Sequence, residues 1–214
     1  MHRRTLLAVA AVLAPCSAVR ALASTPGRGW REVPAQQPLD DPAQLQVTEF
    51  FWYGCGHCAV LDPKLQAWAR RHGARIERVP MAFTPRYQPQ QRLYYALLAL
   101  GRADALQPRV FAAMHDANQP LDDRAAIVDW AVRQGVPRQA FIDAYDSFTT
   151  GHRVRRADQL ARSYAIEAVP SLVVQGRWLV VPGTPATRSV EQVFAVLDEL
   201  AQRVAAQSRR APRD

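Results

Sequence analysis

The strongest constraint on the fold is a pair of cysteines, Cys55 and Cys58, placed where a predicted strand gives way to a predicted helix. Residues 45–53 are rich in β-branched and aromatic side chains and are followed by a glycine, which predicts a strand. Apolar side chains then recur at helical spacing up to residue 71, and residues 75–83 again predict a strand. The order strand, Cys-x-x-Cys, helix, strand indicates a βαβ unit. The apolar helix face comprises Cys58, Leu61, Leu65 and Trp68.

The middle of the chain differs in character from its two ends. Residues 85–150 predict several short helices separated by turn signals. Strands return in a predicted hairpin over 171–181, and Ser189 is expected to open a final helix. We therefore expect an α/β domain over 43–84 and 151–206, interrupted by an all-helical subdomain at 85–150.

Turn and cap residues are expected at three further places. Asp122 is a suitable N-cap for one of the inserted helices, and Thr149 or Thr150 for the helix that follows the insertion. The dipeptide at 176–177 is expected to turn the hairpin.

The first 23 residues have the pattern of a secretory signal peptide. A basic start at Arg3 precedes an apolar run of about nine residues, too short for a bilayer core of about 30 Å. Small residues then end at Ala23, and cleavage there would remove Cys16 and leave one cysteine pair. We expect export to an oxidising compartment. A buried N-terminal helix and a lipoprotein anchored at Cys16 are the alternatives.

The positive charge of the chain lies mostly at its ends. A formal charge of +8 first suggests a nucleic-acid or membrane-surface partner. Residues 24–200 carry only 20 bases against 18 acids, so we expect no nucleic-acid partner. Residues 24–42, rich in Pro, Gly and Gln, predict a tether with a short edge strand at 30–33, and residues 207–214 form a basic C-terminal tail.

A Cys-x-x-Cys pair has three common meanings: half of a zinc site, a passive staple or a redox-active dithiol. A zinc site needs two further ligands, but the remaining histidines are scattered and no second Cys-x-x-Cys exists, so we expect no metal. At a helix start, unpaired N–H groups and the helix dipole favour a thiolate at Cys55. Cys58, one turn later, is expected to be more buried and to be the resolving thiol. The passive staple stays the alternative.

Glu49 is a carboxylate on an otherwise apolar strand. Alternate residues share one face of a strand, so Glu49 is expected to point the same way as Val47 and Phe51. Burial there is costly unless the pKa of Glu49 rises or the carboxylate finds a partner. An acid of raised pKa near Cys58 would act as its proton shuttle, and a solvated glutamate is the alternative. The candidate partners on the next strand are Arg75, Glu77 and Arg78.

Residues 45–65 resemble the active-site segment of thioredoxin-fold oxidoreductases. The Glu-Phe-Phe run at 49–51, the histidine before Cys58, the helical insertion and the Val169-Pro170 step before a strand are similar to the DsbA family of periplasmic oxidases. This resemblance covers nearly the whole chain after residue 23. It implies an α/β, thioredoxin-like fold in which a central mixed sheet is flanked by helices and an all-helical subdomain is inserted.

The resemblance also implies a role for each site residue. Cys55 would be the attacking and accepting sulfur, and Cys58 would close the disulfide. His57 would stabilise the thiolate at Cys55. Pro170 would be a cis proline that faces the disulfide, and Val169 would offer its backbone to an extended substrate by strand addition.

The dipeptide between the cysteines departs from the usual DsbA pair. Gly56-His57 replaces Pro-His and matches the pair of protein disulfide isomerase. The reference potentials are about −120 mV for DsbA and about −180 mV for protein disulfide isomerase, and this difference corresponds to about 2.8 kcal/mol. A DsbA thiolate pKa of about 3.5 corresponds to roughly 7 kcal/mol of stabilisation. A helix dipole supplies only about 0.3–2 kcal/mol, so local N–H groups and the charge of His57 are expected to supply much of the remainder.

The function that follows is donation of a disulfide to unfolded or newly exported cysteine-containing proteins in the periplasm through a mixed disulfide. A membrane reoxidase of the DsbB type, a monomeric state and no cofactor beyond the disulfide itself are expected. An isomerase or reductase of the same fold and a peptide-binding chaperone with a structural disulfide are the alternatives.

Overall fold

The computed structural model of this protein describes residues 28–39 and 41–210, with the side chain of Arg210 left out. The predicted signal peptide at 1–23 and the end of the tail, 211–214, lie outside the described residues. None of the helices in the described part is both long and apolar enough to span a membrane. The elements are β1 Arg31–Glu32, β2 Gln46–Phe51, α1 Gly56–His72, β3 Arg75–Pro80, a 3₁₀ turn Pro85–Tyr87, α2 Gln88–Ala99, α3 Ala103–His115, α4 Arg124–Arg133, α5 Arg138–Asp146, α6 Phe148–Ser163, β4 Ser171–Val174, β5 Trp178–Val180 and α7 Val190–Arg210.

The strands form one mixed sheet in the order β1-β5-β4-β2-β3. Strands β2 and β3 run parallel because helix α1 connects them, whereas β2 with β4, β4 with β5 and β5 with β1 are antiparallel. All six residues of β2 are buried, as expected for a central strand covered on both faces. The site residues that follow β2 and precede β4 are therefore brought to neighbouring strand ends.

Two apolar cores cover the two faces of the sheet. One joins strand residues such as Val47 and Leu172 to the apolar faces of α1 and α7. The other joins Phe50 and Val173 to helix α6 and the inserted helices. Because the second core is continuous from the sheet into the insertion, the inserted helices pack directly against the sheet.

Local capping differs from the sequence expectation at two helices. Asp123, not Asp122, is the N-cap of α4 and accepts from the Ala126 N–H at 2.9 Å, while Asp122 pairs with Arg86 instead. Ser147 caps α6 and accepts from the Thr150 N–H at 3.0 Å. Helix α6 therefore runs across the predicted domain limit at residues 150–151, and the division into domains stays a prediction.

The C-terminal elements follow the sequence pattern closely. Ser189 and Gln192 form the predicted capping box before α7, with reciprocal bonds of 3.3 and 3.1 Å. The hairpin turns one residue earlier than expected, at Gln175-Gly176, because both of these residues have positive φ and the Arg177 N–H closes the turn onto Val174. Helix α7 continues to Arg210, so the first residues of the predicted basic tail are helical.

The N-terminal segment lies on the hairpin. Strand β1 pairs with β5, Val33 is buried and Trp30 packs edge-on against Trp178 with ring centroids 6.2 Å apart. Gly176 lets the same segment approach closely, since a Cβ there would lie 2.7 Å from the carbonyl oxygen of Gln37. Part of the predicted tether is thus built into the sheet edge.

We expect Gly176→Ala to lower the free energy of unfolding in urea by about 1–3 kcal/mol more than Gly73→Ala does. The two glycines have nearly the same φ, +60° and +62°, but the space around Gly73 is open. Both variants carry the cost of the left-handed backbone, and only Gly176→Ala also meets Gln37. Equal losses of stability would show that the N-terminal segment does not pack on the hairpin.

Candidate active site

Cys55 caps the helix that follows the central strand. After β2 ends, a turn closed by a 3.0 Å bond from the Cys55 N–H to the Trp52 carbonyl brings the chain to helix α1. Cys55 has extended backbone angles, φ −93° and ψ 108°, and its sulfur accepts from the Cys58 N–H at 3.2 Å. The sulfur thus takes the place that a Ser or Asp oxygen takes at an ordinary N-cap, which is where the sequence places it.

The two cysteines have opposite electrostatic environments. Cys55 is half-buried and Cys58 is fully buried, and both are free thiols in this structure. A hydrogen bond from the Cys58 side chain lowers the pKa of Cys55 to about 7; the Cys58 and His57 backbone N–H groups assist and burial opposes. Burial raises the pKa of Cys58 far above its ordinary range, and hydrogen bonding to Cys55 adds to this. One sulfur is therefore poised as a thiolate and the other as a thiol.

The dipeptide between the cysteines is exposed. His57 acts on Cys55 through its backbone N–H, and its side chain faces solvent; the predicted role of its charge stays a prediction. The pKa of Cys55 is lowered only to about 7, whereas the reference pKa of the DsbA thiolate is about 3.5. A Cβ at Gly56 would meet nothing within 4 Å, so packing does not require glycine at this position.

Val169 and Pro170 lie beside the cysteine although more than 110 residues separate them in the chain. The Val169–Pro170 peptide bond is cis. The carbonyl oxygen of Val169 is 3.5 Å from the Cys55 sulfur, and Pro170 is buried directly before strand β4. The antiparallel pairing of β4 with β2 brings this step to the end of β2.

Glu49 is fully buried and faces one arginine. Of the three candidate partners it is Arg78 that stands opposite Glu49 in the β2–β3 register, with its Nε 3.5 Å from Glu49 Oε2. The same Nε donates to Asp62 Oδ1 at 2.8 Å, and the guanidinium also donates to Asp104 at 2.8 Å. Arg78 is thus shared by three carboxylates, of which Asp62 and Asp104 hold the short bonds.

The Glu49 carboxyl group is favoured in its neutral form. Burial raises the pKa of Glu49 to about 8, and the charge of Asp62 adds to this while Arg78 opposes it. Neither carboxylate oxygen has a hydrogen-bond partner among the described residues. The charge of Glu49 in turn makes the smallest contribution to the raised pKa of Cys58, after burial and Cys55.

Asp62 is a site residue that the sequence analysis missed. It is buried on helix α1, four residues after Cys58, on the helix face that is otherwise apolar. A lone carboxylate on such a face was the available signal, the same signal that singled out Glu49.

Phe51 departs from the expected alternation. It was predicted to share a face with Glu49, but its ring packs against Tyr94 of α2 and Phe111 of α3, at 5.4 and 6.1 Å between centroids. The strand ends at Phe51, and the inserted helices contribute the aromatic rings around it. The inserted helices therefore form part of the core beside the candidate active site.

Comparison with known proteins identifies relatives over nearly the whole chain. A family model described as a DSBA-like thioredoxin domain matches residues 46–195. The thiol:disulfide interchange protein DsbA of Burkholderia cepacia is 37% identical over 201 residues, which cover 92% of each chain. The protein of the same name from Bordetella parapertussis is 37% identical over 179 residues, covering 83% of this chain and 85% of the relative.

Solved structures show the same architecture. The crystal structure of Pseudomonas aeruginosa DsbA has a TM-score of 0.79 and 25% identity, covering 86% of this chain and 96% of that chain. The oxidoreductase DsbA from Xylella fastidiosa has a TM-score of 0.74 and 27% identity, covering 83% and 95%. The predicted thioredoxin-like fold with a helical insertion is thus confirmed. The chain belongs to the family of DSBA-like thioredoxin-domain proteins.

Proposed function

We propose that this protein is a thiol:disulfide oxidoreductase that donates its Cys55–Cys58 disulfide to pairs of cysteines in exported proteins. The observation that supports the proposal most directly is the opposite displacement of the two thiol pKa values, that of Cys55 downward to about 7 and that of Cys58 upward. A sulfur that is stable as a thiolate is a good leaving group and, in a disulfide, a good electron acceptor.

The reaction proceeds by two exchanges. A substrate thiolate attacks the Cys55 sulfur, forming the mixed disulfide and breaking the bond to Cys58, which leaves with the electron pair. A second substrate thiolate then attacks the substrate sulfur and expels the Cys55 thiolate. The substrate loses two electrons and two protons and gains a disulfide, while Cys55 and Cys58 take up the two electrons.

Glu49 supplies a proton in the first exchange. Cys58 leaves as a thiolate inside the core and takes up a proton there, because its pKa is raised. Glu49 is mostly protonated at pH 7 because its own pKa is about 8. It is therefore the proton donor to Cys58 during oxidation of a substrate, and the acceptor when the enzyme is reoxidised.

Val169 is the candidate binding point for the substrate backbone. Its carbonyl lies 3.5 Å from the reacting sulfur, and an extended chain that paired with it would pass over Cys55. Backbone recognition suits an enzyme that accepts many unfolded sequences. Pro170 lacks an N–H and leaves the Val169 carbonyl as the polar group beside the sulfur.

The setting follows from the same chemistry. We place the enzyme in the periplasm after removal of residues 1–23, as a monomer that acts on newly exported cysteine-containing proteins. A membrane reoxidase of the DsbB type accepts the electrons from the reduced pair. The redox centre is the disulfide itself; no group of three or more His, Cys, Asp or Glu residues within the described ranges could hold a metal ion.

Equilibration with reduced and oxidised glutathione tests the function. We expect a potential between about −180 and about −120 mV, the range of the Gly-His and Pro-His reference enzymes. A potential below about −300 mV would contradict the oxidase and favour a chaperone with a structural disulfide. The Cys58→Ser variant is the control, because it is expected to form only a mixed disulfide with glutathione.

Alkylation of the reduced protein by iodoacetamide tests the sulfur assignment. Since the thiolate is the nucleophile, the rate at Cys55 is expected to rise with pH around a midpoint near 7, with Cys58 unlabelled. Peptide mapping identifies the labelled residue, and Cys55→Ser is expected to abolish labelling. A midpoint near 8.5, the ordinary value for a cysteine, would refute the assignment.

The pH dependence of stability tests the state of Glu49. The pKa of Glu49 is about 8 in the folded protein and 4.5 ordinarily. Between these two pH values folding takes up a proton, so the stability of the wild-type protein falls as the pH rises through this window. We expect Glu49→Gln to remove this loss, gaining on wild type by up to about 1.4 kcal/mol per pH unit between about pH 5 and 8.

Urea unfolding of the oxidised protein measures this difference without interference from Cys55 ionisation. Glu49→Asp is the matched control, because it keeps a titratable carboxyl group and is expected to keep the pH-dependent loss. A difference between Glu49→Gln and wild type that stays constant across the window would show that Glu49 is ionised throughout.

A further inference from the structure

The residues that join strand β2 to helix α1 form a tight turn. The bond from the Cys55 N–H to the Trp52 carbonyl closes it, and Tyr53 and Gly54 are its central residues. This bond does not set the direction of the middle peptide, which faces opposite ways in type I and type II turns. Whatever holds the Tyr53–Gly54 peptide therefore influences where Cys55 is placed.

Gly54 leaves the middle peptide free to turn over. A type II turn needs positive φ at the second central residue, which glycine adopts readily, although φ of Gly54 is not positive in this structure. A Cβ at this position would resist the flip, but it would also collide with the indole of Trp52. That indole packs on Tyr87, with ring centroids 4.3 Å apart, and its N–H donates to Gln90. The close packing thus requires glycine, and the turn needs another restraint.

Helix α3 of the insertion supplies that restraint. The Nε2 atom of His115 lies 2.8 Å from the carbonyl oxygen of Tyr53. A carbonyl only accepts, so Nε2 carries the proton and donates it. The imidazole stacks on Phe111, at 6.2 Å and 27°, and the Tyr53 hydroxyl donates to the buried Gln107 of the same helix at 2.7 Å. Both the backbone and the side chain of Tyr53 are therefore held by α3.

We propose that His115 is a positioning residue for Cys55: its bond to the Tyr53 carbonyl keeps the turn in one conformation and the sulfur aligned with the N–H groups at the start of α1. When the middle peptide turns over, Cys55 loses this alignment. The thiolate is then less stable, although the fold is intact. The proposal rests on the proposed function, yet it concerns the ionisation of Cys55 and is tested without any oxidase assay.

His115→Phe removes the hydrogen bond and keeps a ring that stacks on Phe111. We expect the pH profile of Cys55 alkylation to move upward, so that the rate at pH 6 falls roughly fivefold, the factor that one net hydrogen bond supplies. The glutathione equilibrium is expected to become less oxidising by a similar factor. His115→Gln, whose side-chain amide donates to the same carbonyl, is expected to restore both values.

Two controls separate positioning from stability and from the function itself. His152→Phe makes the same chemical change on the exposed face of α6 and is expected to leave the profile unchanged. A His115→Phe variant that loses unfolding free energy but keeps the wild-type profile and glutathione equilibrium would overturn the proposal. A wild-type protein that fails the glutathione test would refute the oxidase function, whatever His115 does.

The tautomer of His115 provides a test that needs no variant. The hydrogen bond requires a proton on Nε2, and ¹⁵N NMR of the folded wild-type protein distinguishes the two neutral tautomers at high pH. We expect the Nε2–H form. The Nδ1–H form would contradict the bond and overturn the proposal.

Discussion

The candidate active site depends on the hydrogen bonds that the Cys55 sulfur accepts, from the Cys58 side chain and from backbone N–H groups such as that of Cys58. A helix start leaves N–H groups without partners, and here a side-chain sulfur satisfies one of them. A thiolate accepts this bond more strongly than a thiol does, so the group that caps the helix is also the group that gains from ionisation. Helix capping and redox chemistry therefore share the same atoms, and any change in where α1 begins changes both.

Charge balance below the cysteines is the second constraint. Arg78 is buried and holds Asp62 and Asp104 at hydrogen-bond distance, whereas Glu49 is farther away and its carboxylate oxygens find no hydrogen-bond partner in the described part of the chain. The Asp104 side chain is exposed to solvent, so Glu49 and Asp62 are the buried carboxylates that share this cation. Burial, together with the charge of Asp62, raises the pKa of Glu49 and favours its neutral form. This is the physical reason for the proposal that Glu49 exchanges a proton with Cys58.

The inserted helices are part of the site rather than an attachment to it. They complete the core on one face of the sheet, surround the ring of Phe51 and contact the turn before Cys55 through Trp52 and Tyr53. A thioredoxin-like sheet and helix α1 bring the two sulfurs together. The insertion adds the contacts that decide how the turn into the helix is held.

The sequence by itself determined the features that depend on neighbours along the chain. Residue composition placed β2 and apolar periodicity placed α1. The position of Cys55 followed from the strand-to-helix step, and the Ser189 capping box was predicted because its partner is three residues away. The tertiary structure decided what depends on distant residues. Arg78 became the partner of Glu49 through the parallel register of β2 and β3, and His115 reached Tyr53 through the packing of α3. Such contacts join segments whose local patterns carry no information about one another, so only the fold could specify them.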